Sequence, residues 1–309
     1  MSKPRLVLIG NGMAGVRTVE ELLKIKPDHY DITIFGAEPH PNYNRILLSP
    51  VLAGEMTIQE IVLNELAWYK ENNIKLHTSK QIKTIDRVKR KVIADDGTEE
   101  SYDRLLIATG STPFMLPIPG NDLPGVIGYR DIKDTDEMID AAARHKHAVV
   151  IGGGLLGLEA ANGLKLRGMD VTVVHLGPWL LERQLDEVAG KMLQKSLEDK
   201  GLKFLLQTQT EALIQGESGR VAAIRFKDGL QSMKCRRYLL AAADSLVREQ
   251  RALLQGRQVA LFETWSSPIR APALTNPILK RFVSKGAECS RGARVVEQHA
   301  LAQHLPLVG

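Results

Sequence analysis

The chain has 309 residues, of which 44% are hydrophobic, 25% charged and 5% aromatic, the balance of a globular protein with room for about two domains. Scarce aromatics argue against a base-stacking surface for single-stranded nucleic acid, and two cysteines, Cys235 and Cys289, supply neither a disulfide framework nor a four-thiolate cluster. No apolar run approaches the ~18 residues of a membrane span, and the N-terminus lacks the apolar core of a signal peptide. The expectation is a cytoplasmic α/β protein that engages neither membrane nor nucleic acid. The formal charge of +5 is uneven: residues 230–309 hold 12 basic and 5 acidic side chains, residues 1–229 hold 29 and 31. That C-terminal excess contains no basic run of five or more, so it reads as solvated surface rather than as a phosphate track.

Residues 5–9 (RLVLI) form the short apolar run of a buried parallel strand. The run enters Gly10-Asn-Gly12-Met-Ala-Gly15, and Val16, Val19, Leu22 and Leu23 then fall at helical spacing. Strand, glycine turn and helix in that order give the GxGxxG spacing a mechanism. Gly10 permits the tight turn, Gly12 lets a pyrophosphate approach the backbone, Gly15 lets helix and strand pack closely, and the helix N-terminus offers free N–H groups to the anion. A second strand is predicted over 30–35 (YDITIF), and Glu38 after it is the candidate acceptor for ribose hydroxyls. A glycine-rich turn with an exposed loop glutamate is the simpler alternative. Further along, 102–120 (YDRLLIATGSTPFMLPIPG) reads as a strand, then Ala108-Thr109-Gly110, then a crossover. Its prolines at 113, 117 and 119 resist helix and strand pairing.

The pattern returns 142 residues later, with HAVVI (147–151), Gly152-Gly-Gly154-Leu-Leu-Gly157, a helix stopping near Gly168 and DVTVV (170–174). Two copies predict two dinucleotide sites. His175 takes the position after the second strand, where an acid selects NAD and a basic cluster NADP. Histidine satisfies neither rule, so NADH against NADPH stays open, and a surface histidine at a strand end is an equal alternative. Glu159, early in the second helix, is either a helix-dipole partner or a carboxylate near the nicotinamide pocket.

Four segments sharpen the assignment: EPHPNYNRILLSPVLAGE (38–55), YDRLLIATGSTP (102–113), GGGLLGLEAA (152–161) and ERQLD (182–186). Together they resemble the flavoproteins with two dinucleotide domains of the pyridine-nucleotide-disulfide oxidoreductase type. Within that group they resemble the N-terminal module of NAD(P)H-dependent assimilatory nitrite reductase large subunits. The resemblance covers about residues 3–229. It implies FAD contacts at Gly10, Gly12, Gly15, Glu38, Arg45 and Thr109, and NAD(P)H contacts at Gly152, Gly154 and Gly157, with Glu159 close by. Arg45 has its own rationale, since a guanidinium pairs with a pyrophosphate; an ordinary surface arginine is the alternative. Hydride passes from nicotinamide to flavin in such proteins, and electrons then pass to a redox acceptor, such as siroheme and iron–sulfur domains on another chain. The flavin performs the chemistry, so no catalytic acid, base or nucleophile and no metal ligand is assigned. No cysteine pair stands near the first domain, which excludes a disulfide-reductase mechanism. Nitrite reduction is not expected of this chain alone.

The predicted architecture is α/β, with two nested Rossmann-like dinucleotide-binding domains on parallel sheets. Residues 1–115 form the first part of the FAD-binding domain, 116–229 the NAD(P)H-binding domain, and 230–309 an atypical segment in place of the returning FAD-domain part. Glycine falls from 22 in the first 229 residues to 4 in the last 80. The glycine–acid ending that completes the FAD domain in the resembled family is missing, and Gly286-Ala-Glu288-Cys289 is its only faint counterpart. Residues 236–256 suggest an amphipathic helix and 266–280 a proline-broken linker. A frameshift near Gly229–Met233 accounts for the change, as does divergence of a shortened homologue. A nucleotide-binding but catalytically impaired remnant is the alternative function.

Overall fold

Four parallel strands form the first sheet of the computed structural model, in the order Lys75–His77, Asp31–Phe35, Arg5–Ile9 and Arg104–Ile107. The structure describes residues 2–227 and three short strands beyond them, Met233–Lys234, Leu239–Leu240 and Leu246–Arg248. The run expected at 5–9 is the strand observed; the one expected at 30–35 loses Tyr30. Arg5–Ile9 is buried on both faces beyond its first residue, as a continuous apolar run requires of a central parallel strand. Leu6 and Leu8 pack with Val19, Ile34 and Tyr69 on one face. Val7 and Ile9 pack on the other with Phe35, Val92 and Ile107, against an antiparallel ribbon of Ile82–Asp86, Lys91–Ala94 and Glu99–Ser101. Helix α1 (Met13–Ile25) buries Val16 and Val19, and two one-turn helices follow, α2 (Leu48–Ala53) and α3 (Leu66–Glu71).

The same plan is repeated. A second parallel sheet runs Val126–Ile127, Leu239–Leu240, His147–Ile151, Asp170–Val174 and Lys203–Leu205. It carries helices α4 (Ile132–Arg144), α5 (Leu155–Leu166) and α6 (Glu187–Glu198). A second antiparallel ribbon, Thr210–Gln215, Val221–Phe226 and Met233–Lys234, packs with Val149 and Val174. Helix α5 stops where expected: Gly168 has φ +89° and its N–H donates to the Lys165 carbonyl at 2.9 Å, a left-handed cap that other residues adopt with strain.

Two local expectations need correction. Residues 239–240 and 246–248 are strands, whereas an amphipathic helix was expected over 236–256. Backbone pairing of 239–240 between two strands of the second sheet outweighs a helical propensity that is only a weak prior. Pro113 ends the short strand Ser111–Pro113, which pairs antiparallel with Leu246–Arg248; proline is tolerated at a strand end, where one missing donor breaks no central ladder. Cys235, Cys289, the linker at 266–280 and Gly286–Cys289 lie outside the described residues. Among those described, no helix is long and apolar enough to cross a membrane.

Helices α2 and α5 bind the two halves closely. A Cβ on Gly163 would stand 2.7 Å from the Leu52 side chain, so only glycine admits this approach. Arg167, just past α5, donates through Nη2 to the Val51 carbonyl at 3.0 Å and through Nε to that of Leu52. Both carbonyls lie in the last turn of α2, where that of Val51 also accepts the Gly54 N–H at 3.0 Å and helical partners run out. Arg167→Ala is expected to lower stability by about 2 kcal/mol, the scale of lost charge-assisted hydrogen bonds. An unchanged urea midpoint would show that the staple contributes nothing.

Candidate functional site

The glycines of the first turn divide into two kinds. Gly10 sits at φ +109°, and a Cβ there would lie 2.2 Å from the Ala108 carbonyl oxygen; one on Gly15 would lie 2.8 Å from the Gly10 oxygen. Both positions are closed by backbone. Gly12 has ordinary extended angles and nothing within 4 Å of its would-be Cβ, so space rather than conformation is what it preserves. The second turn repeats the scheme: Gly152 has φ +123°, and a Cβ on Gly157 would stand 2.1 Å from the Gly152 oxygen.

Capping separates the helices in the same way. Four described helices have twelve or more residues. Helices α4 and α6 are closed by Asp131 and Asp186, whose side chains accept N–H bonds from Asp134 and Ala189. Helices α1 and α5 begin at Gly12 and Gly154 with no side-chain cap and no acid in the first turn. Their first N–H groups and the positive end of the helix dipole therefore face the glycine turns unneutralised. An anion completes such an end.

Beside the first turn lies a polar cluster. Glu38 pairs with Arg45 through Oε1 and accepts the Tyr43 hydroxyl at 2.7 Å through Oε2. Arg45 donates to the Arg130 carbonyl at 2.8 Å, and its guanidinium stacks 5.0 Å from the Tyr43 ring centroid. Its side chain is 21% exposed, so Arg45 is not an ordinary surface arginine. Arg130 donates from Nε to the Ser111 carbonyl at 3.0 Å. Burial, reinforced by the nearby Arg45 charge, pushes the Arg130 guanidinium below its ordinary pKa. Next to it, the Thr109 and Ser111 hydroxyls are buried without a partner among the described residues, groups that a bound polar ligand would satisfy.

Arg130 leads into the α4 cap, where Asp134 accepts from the Arg130 N–H at 2.7 Å. Burial, then the Asp131 charge, raises Asp134 to about 6, above the ~3.9 of an unfolded chain. The folded state holds that proton more tightly, so its contribution to stability is complete below ~4 and is lost as pH rises through about 6. A carbon-13 titration of the Asp134 carboxyl should show a midpoint near 6, and Asp134→Asn should remove this part of the pH dependence. A midpoint at the unfolded value would refute the assignment.

Glu159 faces the seam between the halves. Ser49 on α2 donates to its carboxylate at 2.5 Å, and the Tyr129 hydroxyl donates to Ser49 at 3.1 Å. Burial pushes the Glu159 carboxyl up, with the Ser49 bond opposing. His175 is 7% exposed, which corrects the surface alternative: its ring is enclosed beside the second glycine turn. Arg130 and Tyr129 lie outside the motifs, and Ser49 and Glu182 lie within segments that carry the resemblance but with no role assigned to them there; their partners are set by the fold rather than by a spacing rule.

Two parallel sheets, each opening through a glycine turn onto an uncapped helix, define a protein with paired dinucleotide-binding folds. Residues 4–247 match the pyridine nucleotide-disulphide oxidoreductase family, and the chain belongs to that family. It is 57% identical over 229 residues to a nitrite reductase [NAD(P)H] of Bacillus subtilis, covering 74% of this chain and 28% of that one. It is 49% identical over 244 residues to the assimilatory nitrate reductase electron transfer subunit of the same organism, covering 78% and 31%. The chain thus spans less than a third of these relatives' length. Among solved structures, the putidaredoxin reductase–putidaredoxin complex superposes with TM-score 0.74 at 25% identity, over 81% of this chain and 60% of that one. FAD and NAD(P)H are the cofactors of this family, and the two glycine turns, the uncapped helix ends and the Thr109 and Ser111 hydroxyls, which have no partner among the described residues, fit such groups.

Proposed function

We propose that the chain is an FAD-dependent NAD(P)H oxidoreductase, the electron-input module of a nitrite reductase large subunit. The observation that carries this is the duplicated cradle: two glycine turns, each feeding the uncapped N-terminus of a helix. Residues 1–115 take FAD, at Gly10, Gly12, Gly15, Glu38, Arg45 and Thr109, with Arg130 added. The half beginning at 116 takes NAD(P)H, at Gly152, Gly154 and Gly157, and the strand 239–240 lies within its sheet. When bound, the pair supplies hydride transfer from nicotinamide C4 to flavin N5.

The residues bind and orient. The free N–H groups of α1 and α5 would hold the two pyrophosphates, and Arg45 and Arg130 would offset the charge of the FAD one. Glu38 is shared between Arg45, Tyr43 and a ribose. Part-buried Glu159 and buried Ser49 and Tyr129 link the two halves near where the rings would meet. The acceptor is a redox centre, with siroheme and iron–sulfur domains on another chain as the specific partner, and the setting is cytoplasmic. The test is the visible spectrum of the purified protein before and after anaerobic NADH. Flavin absorption that bleaches supports the proposal. A colourless protein that takes up no added FAD sinks it in favour of a remnant that has lost its chemistry.

A further inference from the structure

The position after the second strand of a dinucleotide unit is where a carboxylate ordinarily meets the adenosine ribose. His175 stands there, buried among backbone. Its Nδ1 accepts the Gly153 N–H at 3.1 Å, and its Nε2 lies 2.9 Å from Glu182 Oε2. An acceptor at Nδ1 puts the proton on Nε2, so the ring is neutral and donates to the carboxylate. A Cβ on Gly153 or on Gly177 would stand 2.7 Å from the ring, which is therefore walled in on two sides. With both nitrogens engaged, His175 has nothing left to offer a ribose. What it does is carry the Glu182 carboxylate beside the C-terminal end of the strand Asp170–Val174, where the acid is needed. The Glu182 side chain keeps 34% of its surface open.

We propose that Glu182, positioned by His175, accepts the adenosine ribose hydroxyls of the nicotinamide dinucleotide and selects NADH over NADPH. The inference rests on the reading that the Gly152–Gly157 cradle takes that dinucleotide. A 2′-hydroxyl donates to the carboxylate, whereas a 2′-phosphate meets a negative charge that a neutral imidazole does not cancel, a repulsive device of the kind that creates specificity. Arg183, the next residue, is the nearest cation in sequence and is exposed; it is the group that would favour the phosphate instead.

Calorimetric titration of the flavin-loaded full chain with ADP-ribose and with 2′-phospho-ADP-ribose reads this without turnover. The wild type is expected to bind ADP-ribose tighter by about tenfold or more. Glu182→Gln should weaken ADP-ribose by about tenfold and bring the ratio near one, as expected when a site loses its ribose acceptor. His175→Gln, which keeps a donor to the carboxylate, should retain more of the preference than His175→Ala, and Arg183→Ala should leave it intact. Equal affinities in the wild type, or a ratio set by Arg183, overturn the inference and leave the second cradle standing. No binding of either ligand overturns that cradle as well.

Discussion

Gly10→Ala is expected to cost about 3 kcal/mol of stability, read as a melting point lower by about 10 °C, and to abolish flavin retention. The new Cβ would lie 2.2 Å from the Ala108 oxygen at a backbone angle of φ +109°. Neither the turn nor the strand 104–107 can yield without disrupting the parallel sheet they share. Gly12→Ala makes the informative contrast. Its backbone is extended and its Cβ would enter empty space, so the flavin-free protein should melt within about 1 °C of the wild type, as for an ordinary uncrowded site. FAD affinity should nevertheless fall about a hundredfold, because the methyl group stands where a pyrophosphate must approach the backbone. Flavin binding by Gly12→Ala at wild-type strength would show that the cradle is not the cofactor site. Melting curves and flavin-fluorescence titrations on the two variants separate folding from binding.

Arg45→Ala should produce the second large effect. It removes the partner of Glu38, the donor to the Arg130 carbonyl and the cation over Tyr43. Glu38 is left half-buried with only the Tyr43 hydroxyl, and breaking a largely buried pair from one side costs about 2–3 kcal/mol or more. FAD affinity should drop about a hundredfold from the loss of a charge-assisted contact. Arg45→Lys keeps the charge but lacks the planar fork that reaches Glu38 and the Arg130 carbonyl together, so it should recover part of the stability and less of the binding. An Arg45→Ala protein that stays yellow through gel filtration would remove Arg45 from the cofactor site.

Much of this was legible along the chain because glycine turns and parallel strands are local. The strands at 5–9, 147–151 and 170–174 have their expected bounds, since four- and five-residue apolar runs bounded by glycine leave few other conformations. The uncapped starts of α1 and α5 follow directly from the glycine that precedes each. The partners of the charged residues were not legible. Glu38 could be placed after its strand, but its bonds to Arg45 and Tyr43 depend on how the 42–47 segment folds back. Ser49 meets Glu159 110 residues away, and no periodicity encodes that meeting.

The duplicated strand–turn–helix plan, the places where a backbone can approach a pyrophosphate and the family itself were therefore determined by sequence alone, because steric rules act over a few residues. Tertiary structure decided which side chains converge. It brought Arg130 to Arg45, set the part-buried Glu159 carboxyl against Ser49 at the seam, turned His175 inward to hold Glu182, and drew residues 239–240 into the second sheet. The physical reason is that such contacts depend on long-range packing and on satisfying buried polar groups, conditions that exist only after the chain has closed on itself.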